Sequence, residues 1–156
     1  MRVRIIAVGT RMPAWVGAGC DEYLKRLRGG LRVELVELAP GTRTAHADAD
    51  RAVREEGARL LARIGRDDFV VALDERGRAF ASLELAQWLD ARLHEGRDLA
   101  FLIGGPDGFA DEVRARAQLA WSLSRLTLPH ALARVVLAEQ LYRAHAVLAG
   151  HPYHRA

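Results

Sequence analysis

Apolar residues along the chain fall into short clusters that alternate with stretches of helical spacing. Residues 2–9, 68–73 and 99–103 are nearly continuous apolar runs, and residues 31–38 alternate apolar with polar side chains. Continuous runs of this length are typical of buried strands, and alternation is typical of a strand with one wetter face. A last strand, followed by a loop, is predicted within residues 121–128.

Between these strands, apolar residues recur three or four positions apart, which predicts helices. The first helix begins at Pro13 and is expected to stop at Gly29-Gly30. A second helix lies between the second and third strands, and Ser82 is the expected N-cap of a third. A short helix is predicted over residues 111–119, and the longest one over residues 131–148.

Strands that alternate with helices predict a mostly parallel sheet covered by helices on both faces. No repeat or linker interrupts residues 1–156, so the sequence predicts one α/β domain. Ligands of such sheets lie at the carboxyl ends of the strands. The loops at residues 73–77, 103–109 and 122–128 are therefore the first candidates for a functional site.

The composition excludes several classes of protein. Half of the 156 residues are apolar and 28% are charged, which is a globular balance. A single cysteine, Cys20, rules out an internal disulfide framework, and no signal peptide or membrane span is recognisable, so a cytoplasmic protein is expected. The net charge of +3 is compatible with a nucleic-acid partner but does not by itself indicate one.

The motif LIGGPDGF, residues 102–109, joins an apolar strand to a pair of glycines. Paired glycines let a ligand lie against bare backbone, although a tight turn after a strand would need the same residues. The glycine spacing matches neither a phosphate loop nor a dinucleotide-binding fingerprint. This argues against a nucleotide hydrolase and a dinucleotide-dependent dehydrogenase.

The motif SLSRLTLPH, residues 122–130, alternates hydroxyl and leucine side chains before a proline. The pattern by itself favours an ordinary strand and helix entry over a loop that wraps a mixed polar and apolar ligand. The helix after it has apolar residues on more than one face. It is therefore either a deep core helix or a helix shared between the sheet and a partner subunit.

The end of the chain, GHPYHRA, concentrates histidine, arginine and tyrosine. Chain ends are usually frayed, but these side chains suit RNA, since arginine binds phosphate, tyrosine stacks on a base and histidine moves a proton. His151 and His154 have no acidic or cysteine ligand nearby, so no metal site is expected.

With these motifs the chain resembles the RlmH family of large-subunit ribosomal RNA methyltransferases, in the SPOUT superfamily. The resemblance runs from IIAVGT and MPAWV through LIGGPDGF and SLSRLTLPH to AEQLYRA and HPYHR. It implies a C-terminal trefoil knot, which periodicity would not predict because knots are rare. It also implies a homodimer and S-adenosylmethionine as methyl donor. The implied donor-binding residues are Leu73, Gly104, Gly105, Leu123, Ser124, Arg125, Leu126, Thr127 and Leu128.

The implied substrate is a pseudouridine in a stem-loop of 23S ribosomal RNA, methylated at N3 in the assembled ribosome. Its imide nitrogen carries a proton, so a base or a cation that stabilises the anion is useful. We expect His154 to take the proton, Arg155 to stabilise the anion or bind phosphate, and Tyr153 to pack against the base. Arg143, His151 and Arg155 are the expected RNA-binding residues.

Two segments depart from the family pattern. PHALARV stands where relatives more often have PHPLVRV, and His145 stands where tryptophan is expected after LYRA. The second departure bears on the packing of the dimer or base pocket. The alternatives are a ribosome-binding factor of this fold without activity and a transfer-RNA methyltransferase of the same fold.

Overall fold

The computed structural model describes residues 1–29, 31–44 and 48–155, with only the backbone of residues 154 and 155. Strands and helices alternate along the described chain. In order, the elements are β1 (Val3–Val8), α1 (Ala14–Leu24), β2 (Val33–Leu38), α2 (Ala49–Ala62), β3 (Phe69–Ala79), α3 (Ser82–Glu95), β4 (Leu99–Ile103), α4 (Asp111–Arg116), β5 (Leu119–Ser122), α5 (His130–Leu148) and a final 3₁₀ helix (Pro152–Arg155).

The five strands form one parallel sheet in the order β2-β1-β4-β3-β5. Side chains alternate between its faces, as strand geometry requires. Ile5 and Phe101 face a core closed by α1, α3 and α5, whereas Ile6 and Leu102 face a core closed by α2 and α4. The predicted parallel α/β sheet with helices on both faces is confirmed.

The third strand is longer than the sequence predicted. Residues 74–77 were expected to form a turn, but β3 continues to Ala79 because Arg78 and Ala79 pair with Trp121 and Ser122 of β5. The pairing is irregular between Leu73 and Arg78. At Gly77 a Cβ atom would lie 2.5 Å from the carbonyl carbon of Ala120, so only glycine allows this approach.

Three helix ends also differ from the prediction. The first helix ends at Leu24, before Gly29-Gly30, and α4 ends at Arg116 because residues from Leu119 join the sheet. Ser82 is not an N-cap: Ala81 takes that position, and its N–H donates to Glu84 Oε1 at 2.7 Å. Sequence periodicity identifies these helices, but side-chain and strand contacts decide where they end.

Candidate active site

Three loops meet at the carboxyl edge of the sheet and enclose a cleft of about 580 Å³. They follow the regular part of β3, the end of β4 and the end of β5. The first turn of α5 closes the cleft through His130 and Ala133. The other lining residues are Leu73, Asp74, Glu75, Arg76, Ile103, Gly104, Gly105, Pro106, Asp107, Gly108, Phe109, Arg114, Trp121, Leu123, Ser124, Leu126, Thr127, Leu128 and Pro129.

A second hollow of about 620 Å³ lies at the opposite, amino end of β1 and β2. Leu24, Leu27 and Arg28 are among its lining residues, and none of the motifs singled out in the sequence reaches it. Because ligands of parallel sheets lie at the carboxyl edge, the first cleft is the candidate active site.

The loop over residues 104–108 forms one wall of the cleft with its backbone. The Gly108 N–H donates to the Gly105 carbonyl at 3.2 Å, and Gly108 has φ +81°, a conformation that favours glycine. Behind Gly104, the ring of Phe109 would lie 3.2 Å from an added Cβ. The wall thus presents peptide groups to the cleft while Phe109 supports it.

The loop over residues 122–128 is held by short-range hydrogen bonds. The Ser122 hydroxyl donates to the Ser124 carbonyl at 2.8 Å, and the Leu126 N–H donates to Ser124 Oγ at 2.9 Å. The Thr127 hydroxyl donates to Glu75 Oε2 at 2.8 Å, which joins this loop to the one after Leu73. Leu126 is 75% exposed at the mouth, where it presents apolar surface outward.

Among the described residues, five charged side chains line the cleft, and two of its three carboxylates, Asp74 and Asp107, are in ion pairs. Asp74, Glu75 and Asp107 line it, together with Arg76 and Arg114. Burial alone would raise the pKa of Asp74, but the Arg76 N–H and the Arg114 guanidinium outweigh burial and lower it. Asp74 is therefore ionised at neutral pH, and its charge is paired with that of Arg114.

The last described residues fold back along α5. The hydroxyl of Tyr153 donates to Glu139 Oε1 at 3.0 Å, and its ring packs edge-on against Tyr142 with centroids 4.7 Å apart. Arg143 donates to Glu139 Oε1 from Nε at 3.0 Å and from Nη2 at 2.6 Å, with its guanidinium 5.0 Å from the Tyr153 ring centroid. These contacts fix the start of the tail on the second half of α5.

Comparisons with known proteins agree with this geometry. The family described as "Predicted SPOUT methyltransferase" matches residues 1–154. The chain is 57% identical over 156 residues to the ribosomal RNA large subunit methyltransferase H of Alkalilimnicola ehrlichii, covering 100% of both chains. It is 55% identical over 155 residues to the protein of the same name from Thioalkalivibrio sulfidiphilus, covering 99% of each.

The chain belongs to the SPOUT methyltransferase family. Identity above one half over the full length places it with the methyltransferase H relatives, as the motifs predicted. Among solved structures, a probable methylase family protein from Haemophilus influenzae Rd KW20 aligns with a TM-score of 0.54 at 17% identity, covering 97% of this chain and 69% of that one. At such low identity the likeness concerns the fold alone.

The cleft of this SPOUT chain brings together most of the residues expected to bind the donor. Eight of the nine line it, namely Leu73, Gly104, Gly105, Leu123, Ser124, Leu126, Thr127 and Leu128. Arg125 lies in the same loop, but its side chain is exposed and does not line the cleft.

The residues expected to act on RNA lie elsewhere on this SPOUT chain. Tyr153 and Arg143 are engaged with Glu139 and do not line the cleft of their own chain. The Nδ1 atom of His151 accepts from the Tyr153 N–H at 3.2 Å. The side chains of His154 and Arg155 lie outside the described residues, although their backbone belongs to the 3₁₀ helix.

His145, which departs from the family pattern, is half-buried beside the loop after α1. Its Nε2 atom accepts from the Arg28 N–H at 3.3 Å, and burial lowers its pKa. A neutral ring with this acceptor role packs α5 against the loop. Among the described residues no three histidine, cysteine, aspartate or glutamate side chains cluster as metal ligands would. No helix over the described ranges is long and apolar enough to cross a bilayer.

Sequence reasoning missed a buried arginine beside the cleft. Arg134 is only 1% exposed and donates to Glu37 Oε2 at 2.5 Å and to the Gly9 carbonyl at 2.7 Å. It ties the first turns of α5 to the ends of β1 and β2. The sequence did carry one signal: Arg134 is a single arginine inside the apolar stretch LARVVL. An arginine buried at such a place needs a carboxylate or carbonyl partner.

The hydroxyl of Tyr153 is expected to titrate at a pKa of about 12, raised by burial and by the Glu139 carboxylate. The protonated hydroxyl is the donor, so its contribution to tail anchoring is complete below pH 10 and is lost as the pH rises through about 12. The measurement is a pH titration of tyrosinate absorbance, in which the wild-type curve minus the Tyr153→Phe curve gives the titration of Tyr153. Glu139→Gln should lower its midpoint, and a wild-type midpoint near 10 would contradict the anchoring.

Proposed function

We propose that this protein transfers a methyl group from S-adenosylmethionine to N3 of a pseudouridine in 23S ribosomal RNA within the assembled ribosome. One observation carries the proposal. The loops that enclose the cleft contain the motifs by which the chain resembles large-subunit RNA methyltransferases, and it is 57% identical to one of them end to end. The protein acts in the cytoplasm as one domain over residues 1–156, and the trefoil knot stays a prediction.

The cleft fits the proposed donor in size and chemistry. Its volume of about 580 Å³ lies in the range of small-molecule sites. The backbone of Gly104 and Gly105 offers hydrogen-bonding groups for a heterocycle edge, and Leu73 and Leu128 offer apolar contact. The donor supplies an electrophilic methyl group, so the protein has to orient the acceptor and exclude water.

The acceptor has to lose the proton on N3 before this nitrogen becomes a good nucleophile. We assign proton removal to His154 and stabilisation of the resulting anion, or of a nearby phosphate, to Arg155. The contacts of Tyr153 and Arg143 with Glu139 support a role in holding these two residues in place, beside the expected contact with the base or RNA. The exposed Arg76 and Arg125 at the cleft mouth are further candidates for phosphate contacts.

The proposed assembly is a homodimer in which two subunits form one site jointly. Glu139, which holds Tyr153, follows the cleft residue Ala133 by six positions, or about 9 Å along α5. Trp15 of α1 and Leu132 of α5 remain 53% and 37% exposed, and Leu132 precedes the cleft residue Ala133. A second copy covering this apolar surface would bring its own tail beside the cleft.

Leu132→Glu is expected to produce monomers, because a carboxylate would have to be buried in the subunit contact. Sedimentation equilibrium should give 17.2 kDa for this variant and twice that mass for the wild type. Ala58→Glu, on the exposed side of α2 across the sheet, is the matched control and should stay dimeric. A monomeric wild type, or a dimer unchanged by Leu132→Glu, would contradict the proposed contact.

Labelled methyl groups from S-adenosylmethionine should appear in the large-subunit RNA of assembled ribosomes that lack the modification. Free large subunits and transfer RNA serve as parallel substrates, and the label is mapped to the base and atom. Label in transfer RNA alone would favour the alternative substrate on the same fold. Donor binding without transfer to any RNA would instead favour a ribosome-binding factor.

His154→Ala should slow single-turnover methyl transfer by about 10²–10⁴-fold, the usual contribution of a general base. Donor affinity should not change, because the tail is not part of the donor cleft in this proposal. The control is His151→Ala, which should change ribosome affinity but not the rate at saturating ribosome. A wild-type rate for His154→Ala would rule out this histidine as the base.

A further inference from the structure

A buried ion pair lies directly behind the backbone wall of the cleft. Glu56 of α2 is only 2% exposed, although it is an acidic residue. Its Oε2 atom accepts from Arg43 Nη1 at 2.7 Å and from the Gly41 N–H at 2.9 Å, and its Oε1 atom accepts from Arg43 Nη2 at 3.2 Å. This forked geometry fixes both side chains relative to each other.

The same pair touches the cleft loop at two points. A Cβ atom on Gly105 would lie 2.8 Å from Glu56 Oε1 and 3.1 Å from Oε2, so the carboxylate rests against the glycine backbone. Arg43 Nε also donates to Asp107 Oδ2 at 3.0 Å. Gly105 and Asp107 both line the cleft on their other side. The loop is therefore one residue thick between the cleft and the ion pair.

Close packing prevents the pair from moving away from the loop. The next residue on α2 is Gly57, where a Cβ atom would lie only 2.9 Å from Cβ of Ala110. Gly41 is equally close to α2, since its Cβ would lie 2.3 Å from the Ala52 carbonyl oxygen. Gly41 and Gly57 therefore both pack closely against neighbouring residues.

We propose that Arg43 and Glu56 are positioning residues that hold the backbone of residues 104–108 in the shape that binds the methyl donor. Neither Arg43 nor Glu56 lines the cleft, so the pair acts on the donor through Gly105 and Asp107. Hydrogen bonding to Glu56 raises the pKa of Arg43 further, so the guanidinium stays charged. The inference deepens the proposed function and rests on donor binding in this cleft.

Glu56→Gln tests the proposal, with Glu55→Gln as its matched control. The two glutamates are adjacent on α2, and both accept a backbone N–H from the loop before it, Glu55 from Thr42 at 3.2 Å. Only Glu56 rests against Gly105. Isothermal titration with S-adenosylmethionine should show Kd raised about tenfold by Glu56→Gln. Glu55→Gln should stay within about twofold of the wild type.

Kinetics and hydrogen exchange separate positioning from a general loss of stability. Glu56→Gln should raise KM for the donor while kcat at saturating donor stays near the wild-type value. Amide exchange without donor should speed up in the peptide that contains residues 104–108 and not in β1. Arg43→Lys, which keeps the charge but not the fork, should give an intermediate Kd.

Each outcome decides the inference. Unchanged Kd and unchanged exchange at residues 104–108 in a folded Glu56→Gln protein would overturn it. If that variant does not fold, Asp107→Asn and Arg43→Lys take its place, and wild-type Kd and exchange in both would overturn it. A wild type that binds no S-adenosylmethionine would overturn the proposed function and the ligand named here. Amide exchange at residues 104–108 would still decide whether Arg43 and Glu56 order the loop.

Discussion

All five strands run in one direction, and this constraint determines where chemistry can occur. Because the sheet is parallel, every loop that follows a strand emerges at the same edge. The order β1-β4-β3-β5 then sets the loops after β4, β3 and β5 side by side. Loops far apart in sequence consequently enclose one cleft, and the Thr127 to Glu75 hydrogen bond joins residues 52 positions apart.

Three ion pairs, each with one partner largely shielded from water, hold the elements around this edge. Arg134 with Glu37 fixes the start of α5, Arg43 with Glu56 supports residues 104–108, and Arg114 pairs with Asp74 beside the cleft. Burying charge is costly and seldom adds net stability. The advantage of such ion pairs is geometric, because a guanidinium donates to a carboxylate only within a narrow range of positions.

The sequence predicted the strands and most helices because their apolar periodicity is strong. It also predicted which loops form the cleft, since those follow from strand ends and glycine motifs. It did not predict that β3 continues to Ala79, because that depends on pairing with Trp121 and Ser122 far along the chain. Nor did it identify Glu56 or Arg134, since a charged residue in a helix is usually solvated, and only three-dimensional packing buries these two.

The tail illustrates the limit of reading function from a motif. HPYHR suggests chemistry by its residue types, but the structure gives Tyr153 and Arg143 a common acceptor in Glu139, away from the cleft lining. A tyrosine whose hydroxyl and ring are both engaged holds its backbone in place, and the next two residues on that backbone are His154 and Arg155. In the proposed function, anchoring and catalysis are divided between neighbouring residues of this one motif. In the proposed homodimer, a second subunit packed on the exposed apolar side chains of Trp15 and Leu132 would bring its anchored tail beside the cleft of the first.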